Sequence, residues 1–328
     1  MIDPILRVSL EVQPFAQPLV GAAAREVAFL RVENEVTGRV GFGECAPLRG
    51  VHRETLDDSL AALEDWLDGI RETDDLPPSA AFAASCAIAT GEGFGSGIAR
   101  DADVAALHAG GVAELTDVEL ARLRGTKSLK LKIGRAAPAE ERALIARALE
   151  GLPGVRLRLD GNRRLSLADC IDLLRGIDPA HVEYLEEPIA NPAELGDLAD
   201  ATGMTLALDE LVADRGREAR LLREELARSK RVAAWVLRMS AIGSLDAIYD
   251  TAEEAARLGS DVVLSTAFES SYSLRLAVHL AASIPNARRP HGLGTAHVLL
   301  GDACASAAVC NGVLDGGPLP VPFAEAWS

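Results

Sequence analysis

The sequence predicts an α/β protein: a closed (β/α)8-type barrel with an α+β N-terminal capping domain. Three observations lead there. From about residue 103, short apolar strands alternate with amphipathic helices, and eight such units fit into about 190 residues, the rhythm of a closed parallel barrel rather than an open sheet. Polar residues recur at the C-terminal ends of successive strands: Lys132, Asp160, Glu186 and Asp209, each about one strand–helix unit from the last. The first hundred residues have another rhythm, three alternating stretches followed by two helical ones.

Residues 5–12 and 26–34 alternate in strand fashion, and 39–44 repeat the pattern after a Thr37-Gly38 turn, which predicts a small antiparallel sheet. Between 55 and 70, Leu56, Leu60, Leu63, Trp66 and Leu67 recur at helical spacing. Pro77 and Pro78 punctuate, and an Ala-rich helix is expected over 79–90. Gly91, Gly93, Gly95 and Gly97 read as a linker, since the stretch lacks the lysine and hydroxyl pattern of a phosphate loop. Barrel strands are expected at 104–108, 128–133, 155–160, 182–186, 205–209, 233–238 and 261–265, with a weak eighth at 287–291. Helices are expected at 139–149, 166–174, 192–201, 217–227 and 245–258. The tail from about 301 turns Ala-rich and then Pro/Gly-rich. The expected division is a capping domain over 1–100, a barrel over 101–300, and a tail over 301–328 that packs on the cap. Segment 15–23 is the expected lid over the barrel mouth.

A formal charge of −16 argues against nucleic acid and anionic membranes as partners, and an anionic substrate then needs local positive charge to hold it. No apolar run is long enough to span a membrane, and the start Met1-Ile2-Asp3-Pro4 lacks the basic-then-apolar signal pattern. Cys45, Cys86, Cys170, Cys304 and Cys310 are odd in number and scattered, which reads as reduced thiols in a cytoplasmic protein. Oligomeric state is not legible.

The stretch 128–134 carries the strongest chemical signal. Leu129, Leu131 and Ile133 face one way and Ser128, Lys130 and Lys132 the other. The chain uses lysine only at Lys127, Lys130, Lys132 and Lys230, with arginine elsewhere. Lysine can lose its proton and arginine cannot, so the pair is either a solvated edge or a site that needs a neutralisable amine. Strand ends of a barrel share one mouth, where Asp160, Glu186 and Asp209 converge without His or Cys. That oxygen set suits a hard cation, Mg²⁺ before Mn²⁺ or Ca²⁺. Any one of them alone is equally a helix cap or loop carboxylate; the trio in register favours the cation.

Lys130-Leu131-Lys132, Asp160-Gly161-Asn162, Glu186-Glu187-Pro188 and Asp209-Glu210 together resemble the enolase superfamily in its muconate-lactonising branch, a modified TIM barrel. The resemblance implies Mg²⁺ held by Asp160, Glu186 and Asp209, with Lys132 as the base beside a substrate carboxylate. Lys130 would stay charged and depress the pKa of Lys132. Glu187 and Glu210 are the neighbours most easily mistaken for ligands, and alternation points them elsewhere. Within the superfamily four segments resemble the o-succinylbenzoate synthase family of menaquinone biosynthesis: residues 43–48 (Gly-Glu-Cys-Ala-Pro-Leu), 78–87, 265–271 (Ser-Thr-Ala-Phe-Glu-Ser-Ser) and 291–295 (His-Gly-Leu-Gly-Thr). The implied reaction is syn loss of water from 2-succinyl-6-hydroxy-2,4-cyclohexadiene-1-carboxylate. Ser265 and Thr266 would hold its succinyl tail, or else serve ordinary turn chemistry. Asn162 is either a support for the site or a turn residue.

One departure matters. That family usually has a lysine at the end of the sixth strand, where this chain has Arg238. Arginine cannot serve as a base. Racemisation needs an acid–base group on each face of the carbon, whereas syn elimination needs one. Arg238 therefore argues against an N-acylamino acid or dipeptide racemase, leaves a one-base lyase, and either stabilises developing negative charge or makes a structural ion pair. A cycloisomerase and a non-catalytic carboxylate-binding barrel are the remaining alternatives.

Overall fold

The computed structural model describes residues 6–19 and 22–323, with side chains from Arg25 to Phe323. Strands β1 (Leu6–Leu19), β2 (Ala22–Asn34) and β3 (Val40–Cys45) form an antiparallel sheet in that order. The first strand runs well past residue 12: Phe15 pairs with Val27 and Leu19 with Ala22, so the expected lid 15–23 is the closing end of the hairpin. Residues 20 and 21 of that segment, and the side chains of 15–23, lie outside the described residues.

Helix α1 (Leu56–Leu67) begins with a reciprocal Thr55–Asp58 capping box and buries Leu63 and Trp66. Helix α2 (Pro78–Glu92) starts on Pro78, ends on a left-handed Gly93 and lies directly on β3. That approach requires glycine in the strand: a Cβ on Gly43 would sit 1.8 Å from the Ala83 carbonyl oxygen, and one on Gly41 2.1 Å from Gly91 N. The expected glycine linker is thus partly the last turn of α2, and Gly95 O accepts from Leu319 N at 3.0 Å.

The barrel follows as β4 (Ala102–Asp103), β5 (Ala106–His108), α3 (Asp117–Arg122), β6 (Ser128–Lys132), α4 (Pro138–Gly151), β7 (Arg156–Asp160), α5 (Leu167–Leu174), β8 (Val182–Glu186) and α6 (Leu195–Thr202). It continues with β9 (Leu206–Leu208), α7 (Glu210–Ala213), α8 (Arg217–Arg228), β10 (Val232–Arg238), α9 (Met239–Ile242), α10 (Leu245–Arg257), β11 (Asp261–Ser265) and α11 (Ser271–Ser283). Strands β5 to β11 form one parallel sheet in chain order. The expected first strand divides. β4 pairs antiparallel with β12 (Val313–Leu314) in the tail, and only β5 joins β6.

The expected eighth strand is reduced to bridges. His291 N donates to Asp103 O at 2.7 Å, Ala105 N to His291 O at 2.9 Å, and Gly292 N to Leu264 O at 2.8 Å. Pro290 has no N–H to extend the ladder. The His291 ring adds a further clasp, accepting from Leu264 N at Nδ1 (3.1 Å). Beyond it the described residues form only a 3₁₀ turn, Ala296–Val298, before the tail. The fold is therefore a modified barrel of seven helix-backed strands closed by an eighth contact.

Leu129, Leu131, Ile133, Leu157, Leu159, Leu206 and Leu208 are buried between strands and helices. The opposite faces fill the barrel with Tyr184, Ala207, Ala234, Val236 and Val263. Below them Arg158 is fully buried. It donates to both oxygens of Glu183 (2.8 and 2.9 Å) and to Pro290 O (2.7 Å), with its guanidinium 4.9 Å from the Tyr184 ring centroid. Ser128 and Arg289 also donate to Glu183.

The N-terminal sheet is tied to the barrel by polar contacts. Buried Glu44 accepts from Ser270 N, Ser270 Oγ and Ser273 Oγ at the start of α11. Arg25 donates to the carbonyls of Ala46, Ala267 and Phe268. Val27, Phe29, Phe42, Ala46, Tyr272 and Ala303 form a shared apolar cluster that Leu319 and Phe323 of the tail complete.

Two predictions follow from the barrel's polar interior. Burial, then the charge of Arg158, pushes the His291 pKa down to about 4 from 6.5. The unfolded chain then binds a proton that the folded one refuses, so stability is complete above pH 6.5 and falls as pH drops toward 4, by at most about 3 kcal/mol. His291→Asn should flatten the pH dependence of urea midpoints across that window. Although burial opposes its charge, Arg158 and its other donors hold the Glu183 carboxyl at about 2. Glu183→Gln should cost about 3–5 kcal/mol at pH 7 in chemical denaturation, because Arg158 is left buried without a counter-charge.

Candidate active site

Strand register assembles the site. Lys132 lies opposite Asp160, Asp160 opposite Glu186, and Glu186 opposite Ala207, two residues before Asp209. Across the ring Arg238 lies opposite Ser265, which bridges to Gly292. The C-terminal strand ends surround a cavity of about 290 Å³ whose wall includes Lys130, Lys132, Asn162, Glu186, Arg238, Ser265 and Thr266. Asp160 and Asp209 stand at the same strand ends, 1% and 2% exposed. Of the candidate site residues, seven line the cavity, while Asp160 and Asp209 pair with lining cations at the same strand ends.

The charges interlock. Lys130 Nζ is 2.7 Å from both Asp160 Oδ2 and Glu186 Oε1. Lys132 Nζ donates to Asp160 Oδ2 at 2.5 Å and to Asn162 Oδ1 at 2.8 Å. Arg238 donates to Asp209 and is 3.8 Å from Glu210. Burial lowers the Lys132 pKa, and the charge of Lys130 lowers it further. Burial works against Lys130 too, but Glu186 and Asp160 more than offset it and hold its amine above the usual range. Burial likewise opposes the Asp160 charge, yet Lys130 and Lys132 keep its carboxyl well below the ordinary value. Glu186 goes the other way, pushed up to about 7 by burial and then by Asp160. Asp209 is also raised, by burial first, despite Arg238. Two amines of unequal proton affinity in one wall are what a base beside a fixed cation requires.

The turns after β7 and β8 explain their motifs. Gly161 is needed because a Cβ there would lie 2.5 Å from Pro188 Cα. Asn162 sits at φ 45°, with its N–H on Asp160 Oδ1 at 3.0 Å, and so presents its side chain to Lys132. Glu187 turns away from the mouth. Its carboxylate takes the N–H groups of Asp209 and Leu211 (2.8 Å each) and Arg163 Nε (2.6 Å), and so fixes the end of β9 from behind. Thr266 Oγ1 lies 3.1 Å from Thr295 Oγ1.

The cavity also holds residues that sequence reasoning passed over. Arg158 and Tyr184 form its floor, Leu48 and Val51 reach it from the N-terminal part, and Arg135 stands at its rim. Arg158 and Tyr184 were findable, since strand alternation places each two residues before a carboxylate of the trio. Leu48 and Val51 arrive through tertiary docking and carry no local signal.

Among the described residues, no group of three His, Cys, Asp or Glu side chains is arranged to hold a metal ion as it stands, for the carboxylates here are turned to Lys130, Lys132 and Arg238. The donor set nonetheless fits a hard divalent ion. It is all oxygen and buried, and the mutual repulsion that raises Glu186 is what a cation would relieve.

Residues 113–312 match the Enolase C-terminal domain-like family. The o-succinylbenzoate synthase of Proteus mirabilis (strain HI4320) is 31% identical over 255 residues, 75% of this chain and 76% of that protein. That of Yersinia pseudotuberculosis serotype O:1b (strain IP 31758) is 34% identical over 264 residues, 78% of each. A member of the enolase superfamily from Roseovarius nubinhibens ISM, solved in complex with magnesium, shares the fold with a TM-score of 0.74 at 19% identity, over 98% of this chain and 96% of that one. With its barrel closed and its strand-end lysines and carboxylates in place, the chain belongs to the enolase superfamily and, within it, to the o-succinylbenzoate synthase family.

Proposed function

We propose that this protein carries out the o-succinylbenzoate synthase reaction: syn elimination of water from 2-succinyl-6-hydroxy-2,4-cyclohexadiene-1-carboxylate, in menaquinone biosynthesis. One observation carries the reading. A single neutralisable amine, Lys132, shares a mouth with three buried carboxylates, while the position of a second base holds Arg238. The family relationship supports the same substrate class, a small carboxylate.

Asp160, Glu186 and Asp209 would hold Mg²⁺, with Mn²⁺ as a substitute. When bound, the ion neutralises the negative charge that grows on the substrate carboxylate as the neighbouring proton leaves. Lys132 takes that proton from the ring carbon. The electron pair moves into the ring, the adjacent C–O bond breaks, and the Lys132 ammonium returns its proton to the departing hydroxide as water. Lys130 stays protonated throughout and favours the neutral form of Lys132. Arg238 keeps a fixed positive charge on the far wall. Ser265 and Thr266 meet the succinyl tail, and Asn162 steadies the Lys132 amine.

We assign the N-terminal sheet and its helices as the capping domain on a barrel of residues 101–300; of the tail, Leu319 and Phe323 pack on the cap and β12 pairs with β4. The described residues contain no helix long and apolar enough to cross a membrane, and we place the enzyme in the cytoplasm.

The deciding experiment is turnover of the cyclohexadiene substrate, followed by ultraviolet absorbance. Metal-stripped protein should be inactive and recover with Mg²⁺. Lys132→Ala should lose about 10²–10⁴-fold in kcat. Absence of turnover in the Mg²⁺-loaded wild type ends the reading, and retained binding of o-succinylbenzoate would then favour a carboxylate-binding barrel. Arg238→Ala should lower kcat about 10²-fold, and Arg238→Lys should lose much less because the charge is kept.

A further inference from the structure

Five cationic side chains line the cavity: Lys130, Lys132, Arg135, Arg158 and Arg238. Four of them are neutralised. Lys130 and Lys132 share Asp160, Arg158 is held by Glu183, and Arg238 by Asp209. The Arg135 guanidinium has no hydrogen-bond or ion-pair partner among the described residues. In a chain of charge −16 it is the one cation of this wall without an ion-pair partner among the described residues.

Its place at the rim is built by the backbone. Buried Glu141, in the first turn of α4, accepts from Gly134 N (3.0 Å), Arg135 N (2.7 Å) and Ala136 N (3.0 Å). Gly134 takes φ 74° to make that turn, directly after the strand that carries Lys130 and Lys132. The guanidinium is therefore carried by a rigid turn, although the side chain itself is exposed. A smaller cavity of about 170 Å³ adjoins on the other side of Arg135 and Lys132, lined by Ala109, Gly110 and Gly111 and by the acids Glu140 and Glu141. Those acids make it unfavourable for an anion, so an anionic partner of Arg135 approaches from the main cavity.

We propose that Arg135 determines substrate specificity by receiving the second, remote carboxylate of a dicarboxylate substrate, the one not engaged in the chemistry at Lys132. The inference rests on the proposed reaction, whose substrate carries such a group at the end of its succinyl tail. Ser265, Thr266 and the backbone N–H groups near them offer that tail only neutral donors; Arg135 offers a charge with no ion-pair partner among the described residues and a two-pronged donor. Since the remote carboxylate keeps its charge through the elimination, the contact is equal in ground and transition states and should appear in KM rather than kcat.

The test compares wild type with Arg135→Gln and Arg135→Lys, each loaded with Mg²⁺. Turnover is measured with the cyclohexadiene substrate, and binding with o-succinylbenzoate and with its ester at the succinyl carboxylate. Arg135→Gln should raise KM and weaken o-succinylbenzoate about tenfold, leave kcat nearly unchanged, and bind the ester as wild type does. Arg135→Lys should recover part of the loss. Equal affinity of wild type and Arg135→Gln for the diacid overturns the inference while leaving the reaction in place, as does an equal loss for diacid and ester. A wild type that neither turns over the substrate nor binds the product removes the proposed reaction, and this inference with it.

Discussion

The structure depends on charge compensation inside a low-dielectric barrel. Lys130 has its amine 2.7 Å from two carboxylates, and each of those is almost wholly removed from water. An isolated ion in such a place would cost many kcal/mol, so none of these groups is tolerable without the others. Register is therefore not free. A slip of one residue in β6 would turn both amines toward the helices and put Leu129 and Leu131 into the mouth. The apolar packing behind the sheet and the ion pairs within it enforce the same alignment, and the alignment defines the site. The second polar layer, Arg158 with Glu183, does the same at depth and fills the barrel beneath the cavity.

Much of this was legible before any coordinates, and the reasons are local. The face of β6 could be read because its apolar residues alternate strictly with Ser128, Lys130 and Lys132. Glu186 could be told from Glu187 by the same alternation, and Glu187 does turn away to Arg163 and the start of α7. Alternation failed three residues earlier in the same strand. A register shift between β7 and β8 lets Glu183 reach Arg158 in the barrel interior although Tyr184 and Glu186 also face inward, and a bulge leaves no mark in a single sequence. The eighth strand looked weak because it is weak: Pro290 has no N–H to extend a ladder, and His291 and Gly292 close the ring with a few backbone bonds and the His291 ring nitrogen. The glycine stretch misled because Gly91 lies in the last turn of α2 and Gly93 is its left-handed cap, so part of the stretch ends a helix rather than linking two domains.

The wiring of the two ends has a consequence for how the protein is made. Glu44 and Arg25 bond to Ser270, Ala267 and Phe268, more than two hundred positions later. The strand that opens the barrel segment, β4, pairs with β12, about two hundred residues later. The N-terminal sheet completes that face only once the residues around 270 are available, which makes these contacts long-range ones that form late. A chain ending before residue 270 would lack both the Ser270 and Ser273 donors that hold Glu44 and the Tyr272 ring that packs on Phe29 and Phe42.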